Sequence, residues 1–285
     1  MLVRSILPII CLALAGVFVP APGAAAASPT PSSKGIPSLV STALANELRA
    51  AEDSSHPMRY LLRKQTPRLT SMRDICETRD GAVARLLSID GSPLSPEAEQ
   101  REIARLQELA GDPVRQRHRK QVETTDTARA LEVLRLLPSA FLYEDIGSGR
   151  DASRPIERFR FTPNPRFSPP RLEMQVLTGM TGEIWIDPAQ KRVTRLDGHL
   201  AKDVSFGWGL LGRLNQGGRI RIDQAEIAPG QWRTVRLQMH MTGRVLFRTR
   251  NIDLLEQENR FIPLPLDLTY RQAIKLLLTK EDTRR

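Results

Sequence analysis

The chain has 285 residues, with 42 Lys and Arg against 32 Asp and Glu, a formal net charge of +10, and only three Trp, three Tyr and eight Phe. So few aromatics argue against a stacking platform for single-stranded nucleic acid, despite the basic balance. Its two cysteines, Cys11 and Cys76, are too few for a disulfide framework or a structural zinc site once Cys11 is assigned to the leader described next.

The chain opens MLVRSILPIICLALAGVFVPAPGAAAAS. Arg4 gives a positive start, residues 5–20 an apolar run, and Ala25 and Ala27 a small-x-small cleavage site, which together predict a secretory signal peptide (1–27) cut after Ala27. Ile9 and Ile10 precede Cys11 where a lipoprotein signal wants small residues, so no lipid anchor is expected. Removing residues 1–27 takes one basic residue and no acidic one, leaving 258 residues and a charge of about +9. That length suits one large domain or two small ones. No further apolar run reaches the ~18 residues of a membrane span, so an exported, periplasmic protein is expected, with Cys76 its one cysteine and a buried, inert thiol.

Residues 28–36 (SPTPSSKGI) read as a disordered Pro/Ser linker. Leu39, Val40, Ala43, Leu44, Leu48 and Ala51 recur at helical spacing and predict an amphipathic helix over 37–52. Strands are expected at 58–64, 70–76 and 82–90. Ser95 followed by Pro96 and Glu97 is a helix start, because serine caps and proline fits the first turn; Ile103, Leu106, Leu109 and Ala110 form its narrow apolar stripe. A second helix is expected from about Asp126, with Ala130, Leu131, Leu134 and Leu137 on its face, ending before Pro138. This charged pair, 95–137, looks inserted between strands.

From Phe141 the period becomes two. Phe159 and Phe161 alternate with Arg158 and Arg160, and Leu172, Met174 and Val176 read as another strand. In TVRLQMHMT, Val235, Leu237, Met239 and Met241 share one face. Turns at DPAQK, NQGG and APGQ separate the strands, so neighbours should be antiparallel. Residues 269–278 read as a closing helix. The fold class is therefore α+β: a large antiparallel sheet with helices gathered on one face.

The chemistry-bearing patterns are thin. GWGLLG (207–212) matches G-x-G-x-x-G but sits among antiparallel strands with no following helix, so no dinucleotide, and no other cofactor, is expected. Asp197, His199 and Ser205 carry triad residue types without a nucleophile elbow. The histidines, His56, His118, His199 and His240, lack metal-ligand spacing. The sequence thus predicts a non-enzyme. The run RQRHRK places Arg115, Arg117, His118, Arg119 and Lys120 together, either a solvated helix face or a contact for an anionic membrane surface.

One segment ties these features together. GEIWIDPAQKRVTRL, Gly182 to Leu196, is a glycine, a Trp-bearing strand, an aspartate turn and a basic strand. With the signal peptide, the amphipathic helix, the early strands and the helical interruption, it resembles the lipoprotein-carrier superfamily (LolA-like, including the LppX and RseB types). FRFTPNPRFSPP, FGWGLLGRLNQGG and GQWRTVRLQMHMTGRVLF are similar to bacterial envelope relatives of that group. The resemblance implies an unclosed half barrel over residues 37–285, helices across its mouth, and an apolar interior holding an acyl chain, lipid or lipidated partner. Met174, Ile184, Trp185, Ile186, Leu237, Met239 and Met241 are the candidate lining residues; they either wall a cavity or form an ordinary core. The function expected is a non-catalytic carrier, the alternative an envelope interaction or sensor domain with a solid interior. No nucleic-acid partner is expected.

Overall fold

A computed structural model describes residues 36–207, 212–245 and 248–279; the expected signal peptide and all of the linker but Ile36 lie outside them. Helix α1 (Ser38–Glu52) comes first. Strands β1 (Met58–Gln65), β2 (Thr70–Cys76) and β3 (Val83–Ile89) follow as expected, with a two-residue β4 (Ser92–Pro93). Helices α2 (Pro96–Gly111) and α3 (Pro113–Ala140) come next. The rest is β5 (Phe141–Asp151), β6 (Arg154–Pro163), a 3-10 helix (Leu172–Thr178), β7 (Met180–Asp187), β8 (Arg192–Leu200), β9 (Val204–Phe206), β10 (Gly212–Leu214), β11 (Arg219–Ala228), β12 (Gln231–Val245), β13 (Arg248–Pro263) and α4 (Tyr270–Leu278).

Among the described residues thirteen strands form one sheet, in the order β4-β3-β2-β1-β13-β12-β11-β8-β7-β6-β5, with β10 pairing β12 and β9. Every pairing is antiparallel, and β4 and β5 stand at opposite ends without meeting. The sheet is curved and unclosed, an α+β half barrel. The α2–α3 pair leaves one end strand and returns to the other: α2 packs behind β2 and β3, and α3 crosses the inner face.

Both helices start with the same grammar. Ser95 Oγ accepts from the Ala98 N–H at 3.3 Å ahead of Pro96, and an Asp112 carboxylate oxygen accepts from the Arg115 N–H at 2.9 Å ahead of Pro113. The second helix therefore begins thirteen residues before the expected Asp126, and the basic run lies inside it. It also continues through Pro138 to Ala140. The proline sits in the last turn, where its missing N–H costs the one bond to Leu134 O and little helix follows to be kinked. Residues beyond satisfy carbonyls that a helix end leaves open: Tyr143 donates its hydroxyl to Leu137 O, and Asn164 donates to Ser139 O from its side chain and to Ala140 O from its backbone.

The main core lies on the inner face. Val40, Ala43 and Leu44 of α1 and Ala130 and Leu134 of α3 meet Phe141, Phe159, Phe161, Ile184, Ile186, Ile220, Ile222, Leu237 and Met239. A directly opposed glycine pair, Gly182 and Gly198, makes room there. A Cβ at Gly182 would come within 2.8 Å of Phe161 Cζ, so the phenyl ring fills the space the two glycines leave, the device by which an aromatic covers a side-chain-free strand position. Behind β2 and β3, on the other face, Leu106 and Leu109 of α2 and Ala273, Ile274 and Leu277 of α4 form a second core around Cys76 and Val83. A capping box between Thr269 and Gln272 starts α4.

Two further local expectations fail. Leu172–Thr178 is a 3-10 helix and not a strand, and it buries Met174, Val176 and Leu177. In β12 the register shifts opposite Asp223 and Gln224, so Val235 is the extra residue of a bulge and only half-buried, while Trp232 and Thr234 are buried beside it.

Candidate functional site

Helix α1 is fixed on the sheet by one carboxylate. Glu47, 0 % exposed, accepts from Arg192 Nε at 2.8 Å, from a terminal Arg192 nitrogen at 3.1 Å, from the Val193 N–H at 3.0 Å and from Gln224 Nε2 at 3.0 Å. A buried charge survives only when paired and hydrogen-bonded. Val193 adjoins the shift between β7 and β8, where Trp185 opposes Arg195 but Ile186 opposes Val193. Asn46 adds a bond to Lys191 O at 2.9 Å. The β7–β8 hairpin is thus the seat of α1. Sequence reasoning missed Glu47; a lone acid on an otherwise apolar helix face was the available signal.

The seven candidate lining residues separate. Ile184, Ile186, Leu237, Met239 and Met241 lie together in the main core, and Met174 is buried in the 3-10 helix. Trp185 points to the opposite face from its isoleucine neighbours. Its Nε1 donates to Glu183 Oε2 at 3.0 Å, and the guanidinium groups of Arg195 and Arg158 lie 4.1 and 5.4 Å from its ring centre, a cation–π stack on the outer surface. Burial works against the Glu183 charge, but the bonds from Trp185 and Arg158 outweigh it and hold the carboxyl below its usual range.

The basic run is likewise divided by helical geometry. Arg117 and His118 are exposed, and Arg115 lies 3.6 Å from Glu108. Lys120 Nζ donates to Arg79 O at 2.7 Å and Arg119 reaches Ala82 O at 3.5 Å. Two further side chains join them: Gln116 Nε2 donates to Asp80 O at 2.9 Å, and Glu123 Oε2 accepts from the Ala82 N–H at 3.0 Å. The amino-terminal half of α3 therefore hangs on the 79–82 turn by side-chain-to-backbone bonds. Burial, with Arg105 and Arg115 nearby, pulls the Arg119 guanidinium below its ordinary value.

Beneath this half lies a cleft of about 430 Å³, walled by Tyr60 and Ile75 from the strands, by Ala82 from the turn before β3, and by His118, Arg119, Val122, Glu123, Asp126 and Thr127 from α3. The floor is apolar and the rim carries both signs of charge. Its size falls within the range of small-ligand sites. Tyr60 and Ile75 are cross-strand partners, on the opposite face of β2 from Cys76, so the cleft and the second core lie on opposite sides of the same strands. Burial, then Asp74, pushes the Cys76 thiol up to about 12, which keeps it from acting as a nucleophile at neutral pH.

Asp197 and His199 lie two residues apart on β8, and Ser205 on β9 is exposed. His240 pairs with Asp253 across β12 and β13. Gly207 and Gly212 flank residues 208–211, outside the described part, with short strands β9 and β10 on either side. No group of three or more His, Cys, Asp or Glu that could hold a metal is found among the described residues, and no described helix is long and apolar enough to cross a membrane.

No family model and no curated protein sequence matches this chain. Among solved structures, it is similar to a chain described as an outer membrane lipoprotein-sorting protein domain from Vibrio parahaemolyticus, at 10 % identity and a TM-score of 0.28 over 83 % of this chain and 97 % of that one. It is also similar to MucB, solved in complex with periplasmic MucA, at 12 % identity and a TM-score of 0.21 over 76 % and 93 %. At such scores the likeness has no bearing on ligand, partner or compartment.

Proposed function

We propose that the chain is an exported, non-catalytic binding protein, freed from its signal peptide after Ala27 and forming one LolA-like domain from residue 37. Its ligand is apolar, an acyl chain, lipid or lipidated partner, and enters the cleft under the amino-terminal half of α3. The observation that carries this reading is how that half is attached. Gln116, Arg119, Lys120 and Glu123 hold it through hydrogen bonds to backbone, each of which water can replace at a net change of about 1 kcal/mol. The helix can lift there while Ala130 and Leu134 keep its other half seated. Met174, Ile184, Ile186, Leu237, Met239 and Met241 would then be the wall reached only on deeper opening, and Trp185 an outer buttress.

Native mass spectrometry of the protein recovered from a periplasmic extract without detergent tests this. A reproducible lipid mass, lost in Val122→Asp, is expected; Val122 is 48 % exposed, so that change leaves the fold intact.

A second reading, a partner-binding or sensor protein with a solid interior, is favoured by the filling of the inner face, where Ile186 and Leu237 are fully buried. It expects a bare mass that stays bare after incubation with fatty acids and phospholipids, and partner capture that depends on Arg117 and His118. Deleting 95–137 would not separate the two, because Leu134 belongs to the core.

A further inference from the structure

The charged side chains that wall the cleft under α3 are unequally engaged. Glu123 accepts from the Ala82 N–H at 3.0 Å, and Asp126 lies 3.6 Å from Arg129. Arg119 lines the same cleft and is half-buried. Its one hydrogen bond is the 3.5 Å reach to Ala82 O, at the limit of such a bond. A guanidinium carries several N–H donors in a rigid fork and no acceptor. Most of those of Arg119 therefore have no protein acceptor among the described residues, although an apolar surface of Tyr60, Ile75 and Val122 lies beside them.

The surroundings add to this surplus of positive charge. Arg73 precedes Ile75 by two residues on β2 and so shares its face; it is exposed and forms no ion pair among the described residues. Arg105 is committed to Glu102 and to Ala84 O, both at 2.7 Å, and Arg115 lies 3.6 Å from Glu108. Burial, followed by Arg105 and Arg115, works against the charge of Arg119; Glu123 opposes them and Arg73 adds to them. A half-buried cation in this position gains from an added anion, because a charge-assisted bond is strong where water is partly excluded.

Apolar surface and an under-used guanidinium in one cleft call for a ligand that offers both an apolar chain and an acceptor. We propose that the cleft selects an anionic amphiphile, its chain lying on Tyr60, Ile75 and Val122 and its carboxylate or phosphate meeting Arg119, with Arg73 on the same face as a second positive charge. The inference rests on the reading of this cleft as the site of an apolar ligand, and it adds the charge of the ligand's head. A fatty carboxylate and a lipid phosphate share this chemistry. A neutral chain of the same length would leave the Arg119 donors as they are, and a cationic one would add a like charge.

The test is isothermal titration calorimetry of the full exported chain, stripped of lipid, with dodecanoate, dodecyl phosphate and dodecanol, each below the concentration at which it aggregates. The three share a chain and differ in the head. At least one anion should bind about tenfold or more tighter than the alcohol, and the tighter of the two anions separates a fatty-acid ligand from a lipid-phosphate one. Arg119→Gln should cut the ratio of anion to alcohol affinity by roughly tenfold. Any loosening of α3 by that change weakens both ligands alike and cancels in the ratio. Arg150→Gln, exposed on β5 at the other end of the sheet, removes the same charge and should leave the ratio within about twofold. Thermal melting of each variant confirms that it is folded. Dodecanol binding as tightly as both anions, or a folded Arg119→Gln protein that keeps the ratio, overturns the proposal and leaves the apolar-ligand reading standing. Binding of none of the three overturns both.

Discussion

In its carboxy-terminal half helix α3 rests on α1 and the inner face through Ala130 and Leu134, whereas its amino-terminal half is tied to the 79–82 turn by Gln116, Arg119, Lys120 and Glu123. Apolar contact is lost outright when a helix lifts, because water offers nothing in exchange. Polar contact to backbone is largely replaced by water. The same helix is therefore a fixed beam at one end and a releasable one at the other, and the cleft lies under the releasable end.

The comparison breaks first at its foundation. Glu47→Ala leaves Arg192 without its partner in the interior and unseats α1, on which α3 rests; a loss of about 3–5 kcal/mol is expected from chemical denaturation. Leu134→Ala follows, with about 2–4 kcal/mol for a buried leucine and a visibly lower melting temperature. Gln116→Ala removes a bond on the releasable half, and about 1 kcal/mol is expected. Hydrogen exchange sharpens the contrast: amides of 116–124 should exchange faster than those of 130–136 in the unaltered protein, and Gln116→Ala should widen the gap without touching the second group. Equal protection along the helix would contradict the two-ended picture.

The smallest effect concerns pH. Glu102 of α2 accepts from the Leu86 N–H at 2.8 Å and from Arg105, while Arg105 donates to Ala84 O at 2.7 Å, so the pair covers the part of β3 that the short β4 leaves open. Burial raises the Glu102 carboxyl, but the Arg105 and Leu86 bonds more than offset it, and the folded value lies below the ordinary one. A depressed carboxyl contributes stability that is complete above its unfolded value of about 4.3 and is lost as pH falls through the folded value. Glu102→Gln should therefore flatten the fall in melting temperature below about pH 4.3 and leave its neutral-pH slope unchanged.

Much of the fold was legible because its signals are local. The period of α1, the Ser95–Pro96 cap, the three early strands and the alternation of β6 each follow from a few neighbouring residues. The amino-terminal half of α3 was not, since a helix held by polar bonds shows no apolar stripe; its Asp112–Pro113 start repeats the Ser95–Pro96 signal and was the clue to use. The strand reading of Leu172–Thr178 failed because three apolar residues at spacing two also fit a tight helix buried on adjacent sides. Period-two alternation put Leu237, Met239 and Met241 on one face of β12, where the fold buries all three; on β7 the reading grouped Trp185 with Ile184 and Ile186, which the fold sets on opposite faces. The cleft depends on how α3 lies across β1–β3, and Glu47 on partners 145 and 177 residues away, which no local window contains.

The α2–α3 pair joins the two strands that end the sheet, and 28 residues of α3 measure about 42 Å at 1.5 Å each. Seen mechanically, the sheet is a bow and this helix its string: the string's length sets how wide the bow stands. Changing that length by whole turns should retune the span while keeping each face in register. Changing it by one or two residues would rotate Leu134 away from the core or Gln116 away from the turn, so the molecule tolerates adjustment of its aperture only in steps of a helical turn.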